Sequence, residues 1–230
     1  MMQYNNRIKR SSLVDNPNAR IPVCFCIDSS TSMFFKFKNL KKGIENFYKE
    51  VKQDNSIRYS VDLLLTSFSN EPKVVEEFDC VDQHKDKYIQ MKAFGKTYLG
   101  EALNFALDLL EARKDEFKGA GIDYYQPWLI IISDGKPNGS KIEMERAISR
   151  INESTGKNKL AVLVLYCGIV NNKELLTKLS PKNPVYKISA INFSNFFNWL
   201  SMSLSSISKS MPGDEKEFDL GQAKPWGEPL

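Results

Sequence analysis

The sequence predicts an α/β fold: a doubly wound, mostly parallel sheet with one antiparallel edge strand and helices on both faces. Three observations carry this expectation. Short apolar runs that fit buried strands alternate with stretches whose apolar residues recur at helical spacing. The first run, Ile21–Asp28, is apolar up to its closing acid, as a strand buried on both faces of a parallel sheet is. The runs Ile57–Phe68 and Lys73–Phe78 are separated only by Ser69-Asn70-Glu71-Pro72, too short for a crossover, so they pair antiparallel.

The elements follow in order. After the Ile21 strand, Phe37, Leu40, Ile44, Phe47, Tyr48 and Val51 mark the inner face of a first helix. Beyond the antiparallel pair, Leu99, Leu103, Ala106, Leu107 and Leu110 mark a second. Lys118–Gln126, with two glycines, reads as an exposed connection into the strand Trp128–Ser133. Met144, Ala147, Ile148 and Ile151 point a third helix inward, and Leu160–Tyr166 is a further strand. A short helix near Lys173–Leu179, a weak strand at Val185–Ile188 and a helix carrying Phe193, Phe196, Phe197, Leu200, Leu204 and Ile207 complete the body. The organisation is then a polar extension over residues 1–20, one domain over 21–210, and a tail over 211–230. That tail holds three Pro and three Gly, with Phe218, Leu220 and Trp226 as its few apolar anchors. It is expected to have no secondary structure of its own and to lie across the domain or join a partner.

Composition narrows the function. A length of 230 residues suits one core, and 42% apolar residues are enough to build it. A net charge of +4, from 32 basic and 28 acidic residues scattered along the chain, gives no basic stripe for nucleic acid. The apolar runs are far shorter than the ~20 residues that cross a bilayer, and the polar start lacks the apolar core of a secretory signal, so the expected compartment is the cytoplasm. Cys24 and Cys26 share one face of a strand but have no second Cys or His pair to complete a metal site, and read as core.

The chemistry gathers at strand ends. In doubly wound sheets, ligands bind where the winding direction reverses, here between the first strand and the Trp128 strand. Those strands end in Asp28 and Asp134. Around them lie Ser29-Ser30-Thr31-Ser32, Gly95-Lys96-Thr97 and Ser133-Asp134-Gly135. Acids and hydroxyls converging on one crevice make an oxygen-only site that suits a hard cation such as Mg²⁺. Gly135 would let its loop bend close to the ion.

Asp28-x-Ser30-x-Ser32, Thr97 and Asp134, with the sequel Thr97-Tyr98-Leu99-Gly100-Glu101-Ala102-Leu103, resemble the metal-ion-dependent adhesion site of von Willebrand factor A domains, which have a Rossmann-like fold. The resemblance covers Ile21 to about Trp199. It implies that Ser30, Ser32 and Thr97 give direct hydroxyl ligands to Mg²⁺, with Mn²⁺ or Ca²⁺ as alternatives, while Asp28 and Asp134 act mostly through water. The ion, left electron-poor, then seeks an Asp or Glu carboxylate from a protein partner, which makes the site a recognition device. The closing run Phe196-Phe197-x-Trp199-Leu200-Ser201 also looks like stand-alone bacterial A domains of the tellurium-resistance type. That narrower resemblance implies work beside a kinase, phosphatase or ATPase. Two positions depart from the family: Thr31 and Lys96 stand where Gly is common. Neither removes a ligand; Thr31 implies a stiffer loop, and Lys96 points to solvent or to an acidic partner.

Rival readings are an enzyme and a scaffold. A phosphatase of the haloacid-dehalogenase type needs Asp-x-Asp, but Ser30 stands at the second acid. A serine nucleophile needs a histidine, and the single one, His84, lies in the polar stretch Asp82-Gln83-His84-Lys85-Asp86 and reads as an exposed residue. No glycine-rich phosphate loop follows the first strand, and the Cys and His spacings do not suit zinc. The expectation is a non-enzymatic binding module, with a metal-dependent hydrolase and a structural scaffold around a non-functional ion as alternatives.

Overall fold

In the computed structural model, which describes residues 16–84, 91–134, 137–168, 173–210 and 226–230, strand and helix alternate as the apolar pattern requires. β1 (Ile21–Asp28) leads through a 3-10 turn at Thr31–Met33 into α1 (Phe34–Gln53). Then come β2 (Val61–Phe68), β3 (Pro72–Cys80), α2 (Leu99–Ala120), β4 (Trp128–Ser133) and α3 (Lys141–Gly156). β5 (Ala161–Tyr166), α4 (Lys173–Leu179), β6 (Tyr186–Lys187), α5 (Phe193–Ser208) and β7 (Glu228–Pro229) close the order.

The sheet runs β3-β2-β1-β4-β5-β6-β7. β1 is parallel to β2 and β4, and β5 and β6 continue the parallel array. β3 is the expected antiparallel edge strand. A second antiparallel strand, β7, caps the other edge, which the sequence did not predict. It comes from the end of the tail. Glu228 and Pro229 have no alternating pattern of their own. They are held there because Trp226 packs among Tyr186, Phe196 and Trp199 at ring distances of 4.8, 5.1 and 5.0 Å, and because Leu230 N–H donates to Val185. The expectation of a tail without secondary structure is therefore corrected for Trp226–Leu230; residues 211–225 lie outside the described residues.

Alternation along β1 builds two cores. Val23, Phe25 and Ile27 face α1 and α5, where Phe25 meets the edges of Phe47 and Phe197 at 5.7 and 5.6 Å. Cys24 and Cys26 face the other layer with Leu103, Leu107, Met144 and Ile151 of α2 and α3. Each such side chain, fully buried, contributes about 1.5–3 kcal/mol, so the positions of the strand ends are fixed by packing rather than by loop chemistry. Burial pushes both thiols up, Cys26 to about 12, which disfavours the reactive thiolate form.

Three local expectations change. β2 starts at Val61 because Ile57–Ser60 is used in a turn, with Ile57 N–H on Asp54 and Val61 N–H on Ile57. α2 continues through Gly119 to Ala120 and stops at Gly121, whose φ of 67° suits the left-handed C-terminal position. The following connection is not all exposed: Tyr125 is buried, its hydroxyl donating to the Ser210 carbonyl at 2.8 Å. His84 is buried as well. It stacks on Tyr48 and lies 3.1 Å from Glu76, contacts made across the fold and invisible in its polar neighbourhood. No helix among the described residues is long and apolar enough to cross a membrane.

Candidate metal centre

β1 and β4 are parallel neighbours, yet α1 after β1 and α3 after β4 pack on opposite faces. Their outgoing loops therefore diverge at the reversal of winding, the place where such folds bind ligands. Asp28 closes β1 there, and Asp134 directly follows β4.

Asp28 is wholly buried, and each carboxylate oxygen has its own donor. Ser30 N–H reaches Oδ1 at 2.8 Å and the Ser133 hydroxyl reaches Oδ2 at 2.6 Å. Burial pushes the Asp28 pKa up; the bonds from Ser133 and Ser30 oppose this, and the nearby Asp134 charge adds to it. The loop then carries Ser30 and Ser32 to the same side, their Oγ atoms 3.0 Å apart. Ser32 in turn donates to Asp134 Oδ1 at 2.6 Å. The other oxygen of Asp134 pairs with Lys36, one helical turn beyond Ser32, whose ammonium also donates to the Ser32 carbonyl at 3.2 Å.

Thr97 arrives by a different route. Phe94 N–H donates to the Ser29 carbonyl at 2.8 Å, and Thr31 N–H to the Gly95 carbonyl at 3.1 Å. Gly95, at φ 93°, adopts a backbone that only glycine takes without strain, and its N–H donates to Thr31 Oγ1 at 3.0 Å. The threonine at position 31 therefore ties the two loops together. Thr97 N–H then meets Asn138 Oδ1 at 3.2 Å, and Asn138 N–H returns to the Thr97 carbonyl at 2.7 Å. Thr97 is thus buried and placed by its backbone, two residues from the tie between Gly95 and Thr31. Lys96 is exposed, its N–H on Asn70.

Asp28, Ser30, Ser32 and Asp134 share one hydrogen-bonded network, with Ser133 and Lys36 as members that carried no assigned role in the sequence. Lys36 was findable: i and i+4 residues meet on a helix, and Ser32 opens the turn before α1. Asn138 had no local signal. Gly168 had one, a glycine just past a strand. A Cβ there would lie 2.1 Å from the Asp134 carbonyl oxygen, so the Asp134 loop depends on its absence. Gly135 lies outside the described residues.

The donor set fits a hard divalent cation. Oxygens at right angles on an ion with ~2.1 Å bonds sit ~3.0 Å apart, the separation of the Ser30 and Ser32 hydroxyls. No group of three or more His, Cys, Asp or Glu able to hold a metal occurs among the described residues, so hydroxyls would carry the coordination.

A family profile described as the von Willebrand factor type A domain matches residues 23–201. No curated protein matches the chain. Among solved structures, it is similar to a von Willebrand factor type A protein from Catenulispora acidiphila, with TM-score 0.65 and 16% identity over 81% of this chain and 43% of that one. It is similar to the pilus adhesin SpaC from Lactobacillus rhamnosus GG, with TM-score 0.63 and 12% identity over 82% of this chain and 30% of the adhesin. It also resembles the vWF domain of the pilus tip protein Mfa5 from Porphyromonas gingivalis, with TM-score 0.62 and 11% identity over 87% of this chain and 99% of that domain. The chain spans less than half of the first two. At these identities the likeness shows the fold, and none of the three descriptions supports the narrower tellurium-resistance resemblance.

Proposed function

The chain belongs to the von Willebrand factor type A domain family, and from that premise we propose that it is a metal-dependent protein-interaction module and not an enzyme. Ser30, Ser32 and Thr97 hold Mg²⁺ (or Mn²⁺ or Ca²⁺) directly, and Asp28 and Asp134 support it through water. A bound divalent ion supplies the positive charge that draws an Asp or Glu carboxylate from a partner protein. The observation that carries this reading is the paired hydroxyls at 3.0 Å, backed by Asp134 at 2.6 Å from Ser32. Hydroxyls bring no negative charge of their own, so an ion held mainly by them retains its demand for an anion. His84, the only histidine, is committed to Glu76 of β3, which pairs with Leu65 midway along β2, and so does not serve the site as a base. The setting we propose is cytoplasmic, within a bacterial stress or tellurium-resistance-type assembly that includes a kinase, phosphatase or ATPase. The tellurium-resistance part of that setting rests on the closing run Phe196–Ser201.

A second reading is favoured by Lys36, whose ammonium already pairs with Asp134. In it the lysine is the cation of the site, the loops are a scaffold, and partner capture needs no metal. Affinity capture from the native host separates the two. The metal-dependent reading expects a partner lost both on adding chelator and on Thr97→Ala. Capture that survives both makes the scaffold the correct reading.

A further inference from the structure

Exposed aromatic residues crowd the end of the molecule that carries the site. Phe34, Phe35 and Phe94 are 64%, 90% and 73% exposed, in a domain whose other described phenylalanines are buried or partly so. Phe34 and Phe35 open α1 directly after the Ser30–Ser32 loop, and their rings meet edge to face at 5.3 Å. Phe94 precedes Gly95 on the Thr97 loop, and its N–H is bonded to the Ser29 carbonyl at 2.8 Å. The hydrogen bonds that bring Thr97 to the site thus also bring Phe94 to its edge. Ile142, at the start of α3, and Ile191, just before α5, are exposed at the same end of the sheet. Tyr59 and Met202 are exposed singly elsewhere, as isolated surface apolar residues commonly are.

Asp28, Ser30, Thr97 and Asp134 are buried and Ser32 is exposed, while the three phenylalanines project into solvent from the start of α1 and from the Thr97 loop. Ser32 is exposed two residues before Phe34, so a group that binds at its hydroxyl lies at the start of the helix that carries two of the rings. We propose that Phe34, Phe35 and Phe94 form an apolar rim that selects a partner carboxylate flanked by aromatic or long aliphatic side chains. This rests on the reading of the site as a carboxylate-seeking metal centre. The divalent ion proposed there calls for an anion, and Lys96 adds an exposed cation on the same loop. The surrounding rings gain most from apolar neighbours of that anion, because their exposed area leaves water on docking. A protein segment offers one carboxylate between apolar side chains, which matches one anion-seeking centre flanked by exposed phenylalanines.

The test uses two soluble fluorescent peptides that differ only in their centre, Gly-Asp-Gly against Leu-Asp-Phe, titrated with the full chain at saturating Mg²⁺. The wild type is expected to bind Leu-Asp-Phe at least about tenfold more tightly, and only with Mg²⁺ present. In Phe35→Ser/Phe94→Ser that preference should fall below about threefold, with Mg²⁺ affinity by calorimetry unchanged, since both residues are exposed and neither is a ligand. Equal, Mg²⁺-dependent binding of both peptides overturns the rim and leaves the metal site standing. Failure of both peptides to bind in an Mg²⁺-dependent way overturns the site reading, and the rim with it. Mg²⁺-dependent sedimentation with phosphatidylserine vesicles, lost in the double variant, would assign the rim to a membrane and overturn the proposal.

Discussion

At the amino end of β2, Asp62 is gripped by the Arg113 guanidinium, whereas at the carboxyl ends of β1 and β4, Asp28 and Asp134 are held by hydroxyls and one lysine. The Arg113 fork reaches the two oxygens of Asp62 at 2.7 and 2.6 Å, and Arg113 also pairs with Glu116 at 3.0 Å and lies over the Phe117 ring at 4.8 Å. Both members are buried. That carboxylate is saturated by a cation built into the fold. Ser30, Ser32 and Ser133, in contrast, can turn their hydroxyls, and Lys36 reaches Asp134 from a side chain that is 26% exposed. A rigid, fully paired charge serves the fold. A charge kept by movable donors at a loop crevice is available to a ligand.

The comparison is broken most severely at the saturated end. Arg113→Ala leaves Asp62 buried and unpaired, and should cost about 3–5 kcal/mol in denaturant unfolding. Asp62→Asn with Arg113→Met should restore part of that loss. If Arg113→Ala cost no more than Asp134→Ala, the two ends would not differ as described.

Lys36 sharpens the contrast at the open end. Its ammonium and a divalent ion share Asp134, so Lys36→Met should tighten Mg²⁺ binding about tenfold at low salt, the effect shrinking as ionic strength rises. Unchanged affinity in calorimetry would mean that Lys36 swings clear of the ion at no cost.

The smallest effect concerns His84 and Glu76. Burial lowers the His84 pKa, but the bond and charge of Glu76 outweigh it and the net shift is upward. Burial raises that of Glu76, and the bonds from His84 and Tyr48 carry it downward overall. The histidine contribution is therefore complete below its unfolded value of ~6.5 and fades as pH rises through the raised folded value. The glutamate contribution is present above its unfolded value of ~4.3 and fades as pH falls through the lowered one. The difference in Tm between wild type and His84→Asn should be greatest near about pH 6 and narrow by about pH 8. A constant difference would show that His84 acts through packing on Tyr48 alone.

What the sequence made legible follows from the kind of force involved. The strands of the parallel array and α4, found at Lys173–Leu179 as expected, stand out because burial on a sheet imposes a local period. Asp28, Ser30, Ser32, Thr97 and Asp134 were legible as a set through their resemblance to a family motif; the structure links Asp28, Ser30, Ser32 and Asp134 by hydrogen bonds and ties the Thr97 loop to them through Thr31 and Gly95. β7 was hidden, since Glu228 and Pro229 owe their place to Trp226 and to β6. The burial of His84 was hidden for the same reason: Tyr48 and Glu76 come from other elements. Lys36 fell between these cases, at a helical spacing from Ser32 but with its carboxylate partner 98 residues away.

The most direct test is a calorimetric titration of Mg²⁺ into the wild-type chain and into Thr97→Ala and Asp134→Ala, with thermal melts in chelator alongside. One ion per wild-type chain is expected, with affinity reduced about 10–100-fold in each variant. The chelator melts should differ little, because these side chains lie at strand ends outside the two apolar cores. An absence of wild-type binding, or binding that Thr97→Ala leaves untouched, would contradict a hydroxyl-held metal centre at the open end of the sheet.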